Sequence, residues 1–203
     1  MAEKIDWLVP LPAPRDQISD ARQFRSTWLT ASQAALRDRG LIAKYEARLE
    51  PSRKQEILSA VPGMWLSMEI ARAHYLACDA LGLPAEELLA IGMAATRRAN
   101  ATTLAFVARL AQGTGVTPWT VLAHATRLWQ HTCDGGAIGI ARHGPKEARI
   151  DIIGFPLAAI PYCRITMRGI ALAVIELFCR KAYAREAPGL ADARSIVMRV
   201  SWA

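Results

Sequence analysis

Apolar positions in the first half of the chain recur at helical spacing. From Asp20 onward, Phe24, Trp28 and Leu36 share one face, and Gly40 is placed to cap that helix at its end. Pro51 opens a second helix through Ile57 and Leu58, which Val61-Pro62-Gly63 ends. The stripe Leu66, Ile70, His74, Ala77, Cys78, Leu81 predicts a third helix facing a core. Pro84 starts a fourth, with Glu86 and Glu87 where the helix dipole favours acids, and a fifth is expected over about 102–112. Thr117-Pro118 is an N-cap followed by proline at the first helical position, predicting a helix to about Thr132.

Beyond Asp134-Gly135-Gly136 the period changes. Ala137–Arg142 and Ala148–Ile153 read as two strands, the second with Ile150 and Ile152 alternating with Arg149 and Asp151. An apolar helix follows from Met167 to Cys179, and then strands at Lys181–Glu186 and Ser195–Trp202. The expected fold class is α+β in one domain, 1–203. It comprises an extended proline-rich arm (1–20), a helical half (21–133) and a ββαββ antiparallel sheet half (134–203) covered by one apolar helix.

Composition adds little that is specific. The chain has 203 residues, 52% of them hydrophobic and 21% charged, the balance of a folded protein. No uncharged run reaches the ~18 residues that span a membrane, and the charged start Met1-Ala2-Glu3-Lys4 is unlike a secretory segment. The four cysteines (Cys78, Cys133, Cys163, Cys179) form no CxxC and are expected as reduced thiols in a cytoplasmic protein. The net charge of +7 lies mainly in residues 117–203, which hold 11 Lys/Arg against 6 Asp/Glu. Strand alternation spreads those arginines over both faces, so a nucleic-acid partner is not expected.

The common catalytic and phosphate-binding motifs GxSxG, HExxH, GxxxxGK[ST] and GxGxxG are absent, which favours a binding module over an enzyme. His131-Thr132-Cys133 lacks the spacing of a metal site, and no metal is expected. The candidate ligand anchors are Tyr162, Arg164, Arg168 and Glu176: two arginines beside a tyrosine at a helix start can grip a carboxylate or phosphate, and Glu176 is the one acid in the apolar helix.

The order of helical half, proline-started helix, two strands, apolar helix and two strands ending on Val200-Ser201-Trp202 carries a resemblance, together with Gly169 after the Tyr162 segment. It resembles a myxobacterial paralogous family of domains of about this length and unknown function. More distantly it is similar to haem-based nitric-oxide sensors (H-NOX) and to vinyl-reductase/TRAPP-type small-molecule-binding domains. The H-NOX resemblance implies a haem ligand on the helix before the sheet, where His124 and His131 stand, and a Tyr-x-Ser-x-Arg motif for the propionates. Here Tyr162 to Arg168 departs from that motif, with a wider tyrosine-to-arginine spacing and Thr166 in place of serine. The expectation is therefore no cofactor, with haem through His124 and His131 as the alternative. The expected function is a non-catalytic regulatory or scaffold module. Its hydrophobic cleft, between sheet and helices, would take a small hydrophobic or anionic ligand or a protein partner, with a homodimer among the assemblies foreseen. A cofactor-based sensor and a small enzyme with an unrecognised active site are the alternatives.

Overall fold

A computed structural model describes residues 5–99 and 116–203. The helix expected over about 102–112, and the glycines after it, lie outside the described residues. The protein is a mixed α+β structure with antiparallel sheets. Its strands are β1 (Asp6–Val9), β2 (Gln23–Arg25), β3 (Trp65–Ser67), β4 (Cys133–Asp134), β5 (Ala137–Gly144), β6 (Glu147–Ile153), β7 (Ala182–Glu186) and β8 (Ser195–Trp202). Its helices are α1 (Ser26–Asp38), α2 (Ile42–Glu46), α3 (Pro51–Leu58), α4 (Met68–Asp79), α5 (Ala85–Ala99), α6 (Pro118–Leu122), α7 (Ala125–Gln130) and α8 (Pro161–Ile175).

Five strands form the main sheet in the order β1-β5-β6-β8-β7. The expected extended arm thus contributes a strand to the sheet. Asp6 and Trp7 pair with Arg142 and Ala141, making β1 an edge strand, and the chain then crosses the outer face of the sheet. On that face Ile18 packs with Ala137 and Ile153, and the Arg15 guanidinium donates to the Leu190 carbonyl at 2.7 Å.

A second sheet, β3-β2-β4, stands where helix had been expected: Phe24 and Leu66 face each other across two short strands. Helical spacing of apolar residues is ambiguous over so short a run, and three residues between turns satisfy either period. Helix α4 begins only after Ser67, whose hydroxyl accepts from the Ile70 amide. The helix expected to run from Thr117 to Thr132 is two, broken at Ala123-His124. Its predicted start holds, with Pro118 at the first position and the Thr117 amide donating to the Thr120 hydroxyl at 3.3 Å.

Helix α8 begins at Pro161, earlier than expected, so Tyr162 and Arg164 occupy its first turns instead of a loop. Its N-terminus is capped from another element: the Tyr162 amide donates to Asp79 Oδ1, at the end of α4, at 2.8 Å. The inner face of the sheet, α8 and the helical half close around one core, in which Ile140, Ile152, Ile196 and Val200 of the sheet join Leu29, Leu36, Ile70 and Ile91 of the helices. No helix among the described residues is long and apolar enough to cross a membrane.

Candidate functional site

The core encloses a string of polar side chains. Ser32 and Gln33 lie on the buried face of α1 beside Leu29 and Leu36, Tyr45 comes from α2, His74 and Cys78 from successive turns of α4, and Tyr162 from the first turn of α8. All six are buried. The Gln33 amide donates weakly to the Tyr45 hydroxyl at 3.5 Å and also to the Ile57 carbonyl at 3.2 Å. The Tyr45 hydroxyl lies 2.6 Å from His74 Nδ1, and His74 Nε2 lies 3.7 Å from the Cys78 sulfur. Tyr162 and Ser32 complete the string, their hydroxyls 3.4 Å apart.

Burial fixes the protonation of this string. It lowers the His74 pKa to about 3, so the ring is neutral, and it raises Tyr45 and Tyr162 well above the usual phenol value. Burial also pushes the Cys78 thiol up to about 12, against the opposing effect of the neighbouring Tyr162 and Ser32 hydroxyls. One proton arrangement satisfies neutral groups throughout: Gln33 donates to Tyr45, Tyr45 donates to His74 Nδ1, and His74 Nε2–H faces the Cys78 sulfur. A protonated, enclosed thiol is a poor nucleophile. The string therefore suits neutral hydrogen bonding and the fixing of one packing arrangement, and it does not suit covalent chemistry.

Of the four expected anchors, only Tyr162 belongs to this string. The Arg164 guanidinium faces the sheet, where it meets Glu186 at 3.3 Å and donates to the carbonyls of Ala158 at 3.0 Å and Ser195 at 3.3 Å. Arg168 donates to the Ala184 carbonyl at 3.0 Å, and Glu176 accepts from the Ala182 amide at 3.5 Å. The four do not converge on one cleft, because residues two and six positions after Tyr162 lie on a different side of the helix. The space between helices and sheet, where a hydrophobic cleft was expected, is filled by Tyr75, Tyr162, Phe155, Leu157 and their neighbours. A hollow of about 390 Å³ lies at the surface, with Gln23, Trp65, Trp129 and Gln130 among its walls. His124 and His131, at the two ends of α7, are both exposed.

Tyr45, Ser32 and Gln33 were missed from sequence. Their signal was present, since Ser32 and Gln33 interrupt the apolar face between Leu29 and Leu36, and His74 and Cys78 stand four apart on another.

No protein-family model matches the chain, and no curated protein matches it. Solved structures do. One, concerned with heme redox potential modulated by protein-induced porphyrin distortion, has a TM-score of 0.58 at 12% identity, covering 88% of this chain and 99% of its own. An oxygen-binding H-NOX domain related to soluble guanylate cyclases has a TM-score of 0.57 at 11% identity, covering 86% and 92%. The I5F mutant of the T. tengcongensis H-NOX has 0.56 at 12%, covering 87% and 96%. The chain has the α+β fold of these small-ligand-binding domains. It is distantly like H-NOX.

The expectation of no cofactor is corrected by this comparison, because neighbours sharing the fold are described by their heme. The wider tyrosine-to-arginine spacing was a weak ground for that expectation: it tested one motif, whereas the fold extends over most of the chain. In this packing, however, none of the three histidines of the helical half, His74, His124 and His131, is placed to hold a haem between the helices and the sheet. His124 and His131 face outward, and the buried His74 has its two ring nitrogens against Tyr45 and Cys78. The described residues as packed do not fit a porphyrin.

Proposed function

We propose that the chain is a sensor-type domain that binds a small ligand on the H-NOX fold, with haem the first occupant to test. The observation that supports this best is the extent of the likeness, which takes in 88% of this chain and 99% of a heme protein of known structure. A likeness confined to a sheet or a helical hairpin would carry much less, since single motifs recur among unrelated functions. On this reading the polar string from Gln33 to Ser32 is the responsive element. It ties α1, α2 and α4 to α8, and α8 in turn touches β7 and β8, so a change at the string reaches the sheet. Tyr162 is the expected ligand contact, Arg164, Arg168 and Glu176 hold α8 to the sheet beside it, and His124 and His131, exposed in this packing, would serve as haem ligands only after a rearrangement that turns one of them inward.

The test is native mass spectrometry and an absorption spectrum of the chain expressed with a haem precursor, repeated after incubation with haemin. The expected result is one small molecule retained per chain, and a Soret band that changes in His124→Ala or His131→Ala identifies it as haem. A chain that retains no small molecule from its own host and takes up no haem overturns the reading.

A further inference from the structure

On the outer face of the main sheet, away from the core, six side chains stand in two cross-strand rows. Register places Glu147 of β6, Ser201 of β8 and Tyr183 of β7 side by side, and two residues along it places Arg149, Arg199 and Arg185 side by side. Neighbouring strands are about 4.8 Å apart, so three guanidinium-bearing residues directly opposite one another repel in the free protein. Arg149 is relieved by Asp151, to which its Nε donates at 2.8 Å. Arg199 and Arg185 share one carboxylate between them. Their only counter-charge among the described residues is Glu147, 3.9 Å from one and 3.6 Å from the other, beyond hydrogen-bonding distance of both.

The small Ser201 between the long Glu147 and Tyr183 leaves a hollow of about 270 Å³, walled by those two residues, Arg185 and Arg199, and floored by Ser201 and Ala184. Tyr183 is 60% exposed, an aromatic face standing in water beside these charges. The hollow presents two guanidiniums, the Glu147 carboxylate within 4 Å of both, and beside that carboxylate a hydroxyl and an aromatic ring. We propose that it is a binding site for a small zwitterion of the amino-acid type. Its carboxylate accepts from Arg199 and Arg185, and its ammonium donates to Glu147 and lies against the Tyr183 ring, where a cation is attracted. Glu147 decides the class: a simple anion is repelled by it, and a simple cation by the arginines. Only a ligand with both charges uses every group.

The test is titration of the full chain with glycine, acetate and methylammonium at constant ionic strength, following the amide resonances of Tyr183 and Ser201. Saturable shifts are expected with glycine at concentrations roughly tenfold below either half-molecule, a tenfold change being the readable unit of binding energy. Arg185→Gln, at the exposed edge, should weaken glycine by a similar factor with unchanged melting. Glu147→Gln should leave glycine no better than acetate. Acetate equal to glycine in the unaltered protein would reduce the hollow to a non-selective anion contact, and no saturable shift with glycine would remove the site; either result overturns the proposal.

Discussion

Gly92 on α5 meets the backbone of Thr166 on α8 so closely that a Cβ on Gly92 would stand 2.2 Å from the Thr166 carbonyl oxygen. The contact is reciprocal, since a Cβ on Gly169 of α8 would stand 2.3 Å from the Leu89 carbonyl oxygen of α5. The two helices therefore touch backbone to backbone, and neither obstacle is a flexible side chain. This crossing holds the helical half against α8, and with it Tyr162 in the polar string.

Gly169→Ala is expected to destabilise by about 1–3 kcal/mol or more, because overpacking a close helix contact forces backbone apart. For a chain of this length that corresponds to a fall in melting temperature of roughly 2–4 °C per kcal/mol. Thermal melting followed by circular dichroism checks it. An unchanged melting temperature would show that α5 and α8 are not in this contact.

The neutral His74 makes stability depend on pH. Burial lowers its pKa from 6.5 to about 3 in the folded protein, whereas the unfolded ring keeps its ordinary value. Between those values the unfolded state binds more protons, so stability is full above about pH 6.5 and falls as the pH drops toward 3. The slope from this residue is roughly 1.4 kcal/mol per pH unit. Urea unfolding at pH 7 and pH 5 is expected to differ by about 2 kcal/mol more in the unaltered protein than in His74→Gln, where the titrating ring is gone. Equal differences in the two would place His74 in contact with water.

Arg164→Ala is expected to cost about 1.5–3 kcal/mol, the range for a hydrogen bond to a charged group, since its guanidinium joins α8 to the 3₁₀ turn at Ala158, to Glu186 and to Ser195. The arginines at the start of α8 had suggested an external anion, because the helix dipole disfavours cations there. The structure supplies internal partners instead. A variant that melts with the unaltered protein would return Arg164 to the role of a ligand anchor.

How far the sequence disclosed this arrangement depended on the range of the interaction. The strand from Ser195 to Trp202 was legible because large apolar residues fall on every second position from Ile196 to Trp202, and the start of α6 because Thr117 and Pro118 act within one turn. The strands at Gln23–Arg25 and Trp65–Ser67 were not, because each is three residues long and exists through pairing with the other. The same limit applied to the site. His74 and Cys78 lie on one helix face and can be read together, but Tyr45 meets His74 across 29 positions and Tyr162 meets Ser32 across 130. Arg168 and Glu176 were read as a ligand set because nothing in their spacing shows that the strand beside them is an edge.

That edge leads to the last expectation. Among the described residues strand β7 pairs only with β8, and its residues Tyr183 and Arg185 are registered on Ser201 and Arg199. In an antiparallel ladder the alternate residues turn their amides and carbonyls outward, so Ala182 and Ala184 present theirs to the open side. There α8 meets them: Glu176 accepts from the Ala182 amide and Arg168 donates to the Ala184 carbonyl. The two side chains occupy groups that would otherwise be a template for another strand, a protection that sheet edges need. Replacing both, Arg168→Ala with Glu176→Ala, is expected to cost about 1–3 kcal/mol in lost hydrogen bonds and to promote self-association through the uncovered edge. Sedimentation velocity across a range of concentrations separates this from destabilisation alone. The double variant should shift toward a larger species as concentration rises, while Arg164→Ala, which leaves the edge covered, should not. If the double variant sediments like the unaltered protein at every concentration, the two side chains do not guard the edge and only hold α8 in place.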